Sequence, residues 1–154
     1  MTAKRMLFAL AICLVTATIS LAQDQAMGTW KLNEAKSKLA PGNAKNTTVV
    51  YEAAGDSVKV TVDGTNSDGS AAHNEWTGKF DGTDYPVTGD PTSDTRSYKK
   101  VNAHTLDMTI KKGGKATVTG QIVVSADGKS RTVTTSGTDA QGKKFKSVAV
   151  YDKQ

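Results

Sequence analysis

Glycine-marked turns recur at short intervals along this chain, and no segment between them carries helical periodicity. Gly55, Asp81-Gly82, Gly89, Gly113-Gly114, Asp127-Gly128 and Gln141-Gly142 divide it into short runs rich in Val, Thr and Ile. Asp-Gly and Gly-Gly favour the positive-φ turns that join antiparallel strands. The β-branched runs between them suit a pleated, half-buried surface. The closing stretch, Lys115 to Tyr151, shows the pattern most plainly, with three β-rich runs cut by Asp127-Gly128 and Gln141-Gly142.

Upstream the same grammar holds. Residues 57–63 alternate cleanly, with Val58, Val60 and Val62 inward and Lys59, Thr61 and Asp63 outward, the period-2 pattern of a sheet with one wet face. Val49 and Tyr51 share a face, as do Asn74, Trp76, Gly78 and Phe80 in a strand expected over 72–80. Arg96, Tyr98 and Lys100 share one in a strand expected over 95–101, and Leu106, Met108 and Ile110 share the next. Val118, Ile122 and Val124 share a further face, then Arg131, Val133 and Thr135, then Phe145, Ala149 and Tyr151. Pro41-Gly42 limits residues 33–45 to a connection with at most one helical turn near Glu34, and Pro86 marks the short Tyr85-Pro86-Val87 as an edge or irregular strand. A shift of seventy-three residues lays Gly55, Ser57, Val60 and Gly64 on Gly128, Ser130, Val133 and Gly137, so one hairpin unit occurs twice, by duplication or by convergence on the same turn residues.

The expected fold is all-β: an antiparallel up-and-down meander of about eight to ten strands closing into a barrel. Closure is preferred over an open sandwich because pairing the first strand with the last removes both free edges.

The N-terminal residues read as an address. Lys4 and Arg5 precede an apolar run from Met6 to Leu21, and Ser20-Leu21-Ala22 presents small residues where a signal peptidase cuts. Residues 1–22 are therefore expected to be a cleaved signal peptide and residues 23–154 a single barrel domain, periplasmic or secreted, with no membrane span after cleavage. Cleavage removes Cys13, the sole cysteine, and with it all disulfide and thiol chemistry. It also removes two of the twenty basic residues, leaving a mildly basic domain against fifteen acidic ones. Lysines pair at expected strand ends: Lys99-Lys100, Lys111-Lys112 and Lys143-Lys144. No aromatic residues interleave with them, so they are assigned to solubility and edge protection, and no nucleic-acid partner is expected.

Gly28-x-Trp30, entering the first strand of a small exported antiparallel barrel, resembles the lipocalins and their calycin relatives, including small exported bacterial proteins of lipocalin-like type. The resemblance implies that Trp30 plugs one end of the barrel under a basic residue of the last strand, Lys144 or Lys146, and that the barrel binds a small apolar ligand. The chain departs from the lipocalin pattern in having about ten strands and no helix between the last ones.

Catalytic and metal chemistry find little support. His73 and His104 are the only histidines, with His104 expected to lie solvated in a turn. His73-Asn74-Glu75 lacks the cysteine pair that a zinc deaminase needs. Asp81, Asp84, Asp90 and Asp94 fit turn capping better than a calcium loop. No Gly-x-Ser-x-Gly elbow occurs. Neither an enzyme, a metal site nor a cofactor is expected.

The inward arginines are the informative feature. If Arg96, Tyr98 and Arg131 face a lumen, a buried guanidinium calls for an anion, and a carboxylate ligand held bidentately supplies one. Trp76 and Phe80, with Tyr85, would form the walls. The competing assignment has these side chains facing solvent, or pairs Arg96 with a carboxylate such as Asp107. The expected function is a monomeric binding protein for a small lipophilic or carboxylate ligand. The alternative is a non-enzymatic envelope interaction protein with a solid barrel and an adhesive edge at Tyr85–Val87.

Overall fold

The structure is a computed structural model and describes residues 24–139 and 141–154. The expected leader, with Cys13, lies outside the described residues. Ten strands follow in order: β1 (Gly28–Leu32), β2 (Lys45–Ala54), β3 (Ser57–Thr65), β4 (Ala71–Gly78), β5 (Tyr85–Thr88), β6 (Thr95–Asn102), β7 (Thr105–Lys112), β8 (Lys115–Val124), β9 (Ser130–Thr138) and β10 (Lys144–Lys153). Each pairs antiparallel with its sequence neighbours, and β1 pairs with β10 to close the barrel. Trp30 sits at that closure, opposite Val49 on one side and Lys153 on the other. Among the described residues no helix is long and apolar enough to cross a membrane.

The turns follow the glycines. Gly113 and Gly114 turn β7 into β8 at φ of 57° and 74°, and Gly128 lies at 70° between β8 and β9. Residues with a Cβ rarely adopt this conformation. The 33–45 connection holds one 3-10 turn, Glu34–Lys36, capped by the Asn33 side chain. Ser37 then ties the connection to β10 by accepting the Val150 N–H at 2.9 Å.

Two expectations about strand ends are corrected. β4 stops at Gly78, so Phe80 belongs to the following turn, where its carbonyl accepts the Lys100 N–H at 3.0 Å. Tyr85–Val87 is not an edge, because β5 pairs with β4 through Trp76↔Val87 and with β6 through Tyr85↔Arg96. Pro86 is tolerated because β5 is short and makes only two paired positions on each side.

The interior divides into two halves. One end carries the 55–56, 79–84, 103–104 and 125–129 connections, and its inward residues are large and buried: Trp30, Tyr51, Val58, Val60, Trp76, Leu106, Ile122, Val124 and Tyr151. The segment before β1 folds across this end. Ala26 is buried there and accepts the Trp30 indole N–H at 2.8 Å, and Asp24 pairs with Lys100 at 2.6 Å. At the other end the inward positions are smaller or only half-buried: Gly64, Ala72, Ile110, Val118, Gly120, Thr135, Gly137 and Phe145. The first is called the closed end and the second the open end.

Candidate functional site

Alternation along β6 and β4 places Arg96 and Asn74 inward, each one inward position nearer the open end than Tyr98 and Trp76. Arg96 is 5% exposed, and its Nη2 donates to Asn74 Oδ1 at 3.2 Å. Its Nε is buried with no partner among the described residues. The Arg96 backbone carbonyl accepts the Trp76 indole N–H at 2.7 Å, locking the two strands together beneath the guanidinium. The Asp107 pairing fails because that side chain faces outward and accepts from Gln121 at 2.9 Å. The carboxylate that senses Arg96 is Asp90, in the loop before β6. Burial alone would raise its carboxyl, but hydrogen bonds from Thr92 and Ser93 and the Arg96 charge outweigh burial and hold it below the usual range. Asp90 spends its oxygens within its own loop, on the Thr92 N–H, the Thr92 hydroxyl and the Ser93 hydroxyl at 2.7–2.8 Å. The Arg96 guanidinium is left without an ion-pair partner within 4 Å among the described residues.

Below Arg96, toward the closed end, an aromatic cluster fills the barrel. Trp76 stacks on Phe80 at 6.4 Å between ring centroids and meets Tyr98 edge-on at 4.8 Å and Tyr85 at 5.7 Å. Tyr98 in turn meets Tyr51 at 6.2 Å. Gly78 makes this packing possible, since a Cβ there would land within the Tyr85 ring and 2.7 Å from Trp76. Trp76, Phe80 and Tyr98 therefore pack on one another as a floor under Arg96, where the sequence placed Trp76 and Phe80 as walls around a ligand.

Arg131 stands apart from Arg96. It enters from the second residue of β9, at the closed end, and is 2% exposed. Its guanidinium carbon lies 4.9 Å from the Trp30 ring, 4.9 Å from Tyr51 and 4.8 Å from Tyr151. Lys153 Nζ also lies over the Trp30 ring, 5.1 Å from its centroid. The basic cover expected over Trp30 is thus present but comes from Arg131 and Lys153. Lys144 and Lys146 are excluded by register, because they pair with Thr138 and Ser136 at the open end. Three ring contacts surround the Arg131 cation, but Nε and Nη1 have no hydrogen-bond partner among the described residues. Burial, then the Tyr98 phenol, push the Tyr51 hydroxyl well above the ordinary phenol range, with Arg131 pulling the other way. Burial likewise raises Tyr151, whose hydroxyl donates to the Asn46 carbonyl at 3.1 Å.

The structure thus brings Arg96, Tyr98, Trp76 and Phe80 together, and Tyr51 links Arg131 to them. Sequence reasoning missed Asn74 as the Arg96 partner, Asp90 as its charged neighbour, and Tyr51 and Tyr151 as the Arg131 cage. The period-2 phase that placed Tyr51 with Val49 and Tyr151 with Ala149 carried the signal for the last two.

The other candidates resolve differently. His73 is on the outer face, with Nδ1 2.7 Å from Asp63 Oδ1. His104 is half-buried, not solvated, and its Nδ1 is enclosed with no partner among the described residues. Asp81 caps its own turn at the Thr83 N–H, Asp84 pairs with Lys111 at 2.6 Å, and Asp94 pairs with Lys112 at 2.7 Å.

Among solved structures the chain is similar to two redesigned β-barrels. One is 16% identical, with 86% of this chain and 95% of that chain covered and a TM-score of 0.45. The other, mFAP1 bound to DFHBI, is 17% identical, with 86% and 98% covered and a TM-score of 0.44. No protein-family model and no curated protein sequence matches the chain.

Proposed function

We propose that this is an exported, non-catalytic binding protein whose barrel takes a small acidic, partly apolar ligand from the open end, with Arg96 as its anchor. The observation that carries this reading is the Arg96 guanidinium, 5% exposed and held by one side-chain oxygen, with no ion pair within reach. Leaving a buried charge uncompensated costs several kcal/mol, which an arriving carboxylate would offset with charge-assisted hydrogen bonds. Half-buried Ile110, Val118 and Phe145 on the inner face toward the open end supply apolar contact for the rest of the ligand.

A second reading has its own support. The mutual packing of Trp76, Phe80, Tyr85, Tyr98 and Tyr51 fills the closed half, as an envelope interaction protein with a solid barrel requires.

Native mass spectrometry of the protein, purified without denaturation from an exporting host, separates the two. The binding reading expects a reproducible extra mass that disappears in organic solvent and falls in Arg96→Ala. A bare monomer mass, unchanged after incubation with a mixed lipid extract, overturns it in favour of the interaction protein.

A further inference from the structure

Closure of the barrel removes one assignment that the sequence made. Lysines at strand ends protect free sheet edges, but a closed barrel has no free edge to protect. The lysines at the open end of β7–β10 are nonetheless dense. Lys111, Lys112 and Lys115 flank the β7–β8 turn, and Lys143, Lys144 and Lys146 flank the β9–β10 turn, which lies beside it through the β8–β9 pairing. Lys112 and Lys115 even sit directly opposite each other, a like-charge pair that costs stability.

Their carboxylates do not balance them. Asp84 and Asp94 pair with Lys111 and Lys112. Asp139 caps the β9–β10 turn by accepting the Gln141 and Lys143 N–H groups at 3.0 and 2.8 Å. Lys115, Lys143, Lys144 and Lys146 make no ion pair among the described residues.

Between these lysines the outer face of β8 and β9 is hollowed into an open groove of about 250 Å³. Thr119, Ser136 and Thr138 line it, with Thr117, whose hydroxyl donates to the Ile110 carbonyl at 3.3 Å, and Lys144. Gly137 contributes only backbone to it, since its missing side chain would point inward against the Phe145 ring. Thr119, Ser136 and Thr138 are exposed.

We propose that this groove and its lysines dock the open end of the barrel onto a phosphate-bearing lipid surface, one headgroup phosphate entering the hydroxyl groove while the neighbouring lysines lie along the surface. Several cations on adjacent turns of one end fit an array of phosphates better than a single ion, because each lysine near an anionic bilayer adds a comparable increment of attraction. Phe145, the aromatic between Lys144 and Lys146, faces the barrel interior and offers no stacking platform, which argues against single-stranded nucleic acid as the polyanion.

The test is co-sedimentation of the full chain with phosphatidylglycerol–phosphatidylcholine vesicles and with pure phosphatidylcholine vesicles, at two salt concentrations. Binding is expected only to the anionic vesicles, and weaker at higher salt. Replacing Lys143, Lys144 and Lys146 together by Gln should lower that binding by on the order of a hundredfold. Replacing Lys31, Lys99 and Lys129 by Gln removes the same charge elsewhere and should change it less than about threefold. Circular dichroism melts confirm that both triple variants fold. Equal losses in the two variants, or no binding to anionic vesicles, overturn the proposal. Saturable amide shifts at Thr119 and Ser136 with inorganic phosphate but no vesicle binding overturn the lipid surface in favour of a free anion. Because Arg96 is outside the groove, failure here leaves the interior ligand untouched.

Discussion

The two ends of this barrel handle a buried arginine in opposite ways. At the closed end Arg131 is sandwiched among Trp30, Tyr51 and Tyr151, and the ring faces take the place of a counter-ion. Toward the open end Arg96 has one amide oxygen, an aromatic floor and smaller, half-buried neighbours beyond it. The same residue type serves as cement in one place and as an unmet demand in the other. The difference teaches that burial alone does not mark a binding residue. On the proposed reading, what marks it is burial with neither an ion pair nor ring contacts to the cation, on the side where the interior is less filled.

That contrast can be broken or sharpened by substitution. The largest effect is expected at the closed end. Trp30→Ala removes a fully buried side chain and the surface on which Arg131 and Lys153 lie, and should cost about 3–5 kcal/mol in urea unfolding. A loss near 1 kcal/mol would mean that the closed end is not the stable half. Next comes the arginine pair. Arg96→Met removes a buried charge that has no ion pair but leaves the Asn74 amide oxygen unpaired, and should be neutral to within about 1 kcal/mol, while Arg131→Met should destabilise because it forfeits three cation–π contacts. Equal losses for the two would erase the comparison. At the open end Phe145→Ala should cost only about 1–2 kcal/mol, because that ring is half-exposed. Smallest is the acid response of the Asp90 loop. The Asp90 carboxyl is depressed in the folded state, so its contribution is complete above about pH 4, the unfolded value, and is lost as pH falls through the lower folded value. Replacing Asp90 by Ala should remove that part of the acid-induced drop in melting temperature.

The hairpin grammar was legible because it is local. A glycine at each turn and a period of two along each run decide which residues face inward, and Val58–Val62 and Arg96–Tyr98 follow that rule. What escaped depends on register between distant segments. The cover on Trp30 was assigned to Lys144 or Lys146, but β1 meets β10 at Lys153, a pairing made only when the barrel closes. Asn74 and Arg96 meet across two strands separated by the short β5, so alternation placed both inward without naming them partners. Pro86 suggested an edge because it lacks an N–H. In a closed ring the same deficit marks a thin place in the wall.

That thin place has a dynamic consequence. β5 holds its neighbours by two paired positions on each side, whereas β2–β3 and β9–β10 each run for nine. Rupture of so few backbone bonds is the cheapest way for the cylinder to gap, so breathing should begin there, between β4 and β6. Amide protons of Val87 and Thr88 should exchange with solvent orders of magnitude faster than those of Val60 or Val133. The side chains bared first would be Arg96, Trp76 and Asn74, so the wall's weakest panel is also its natural side door to the guanidinium.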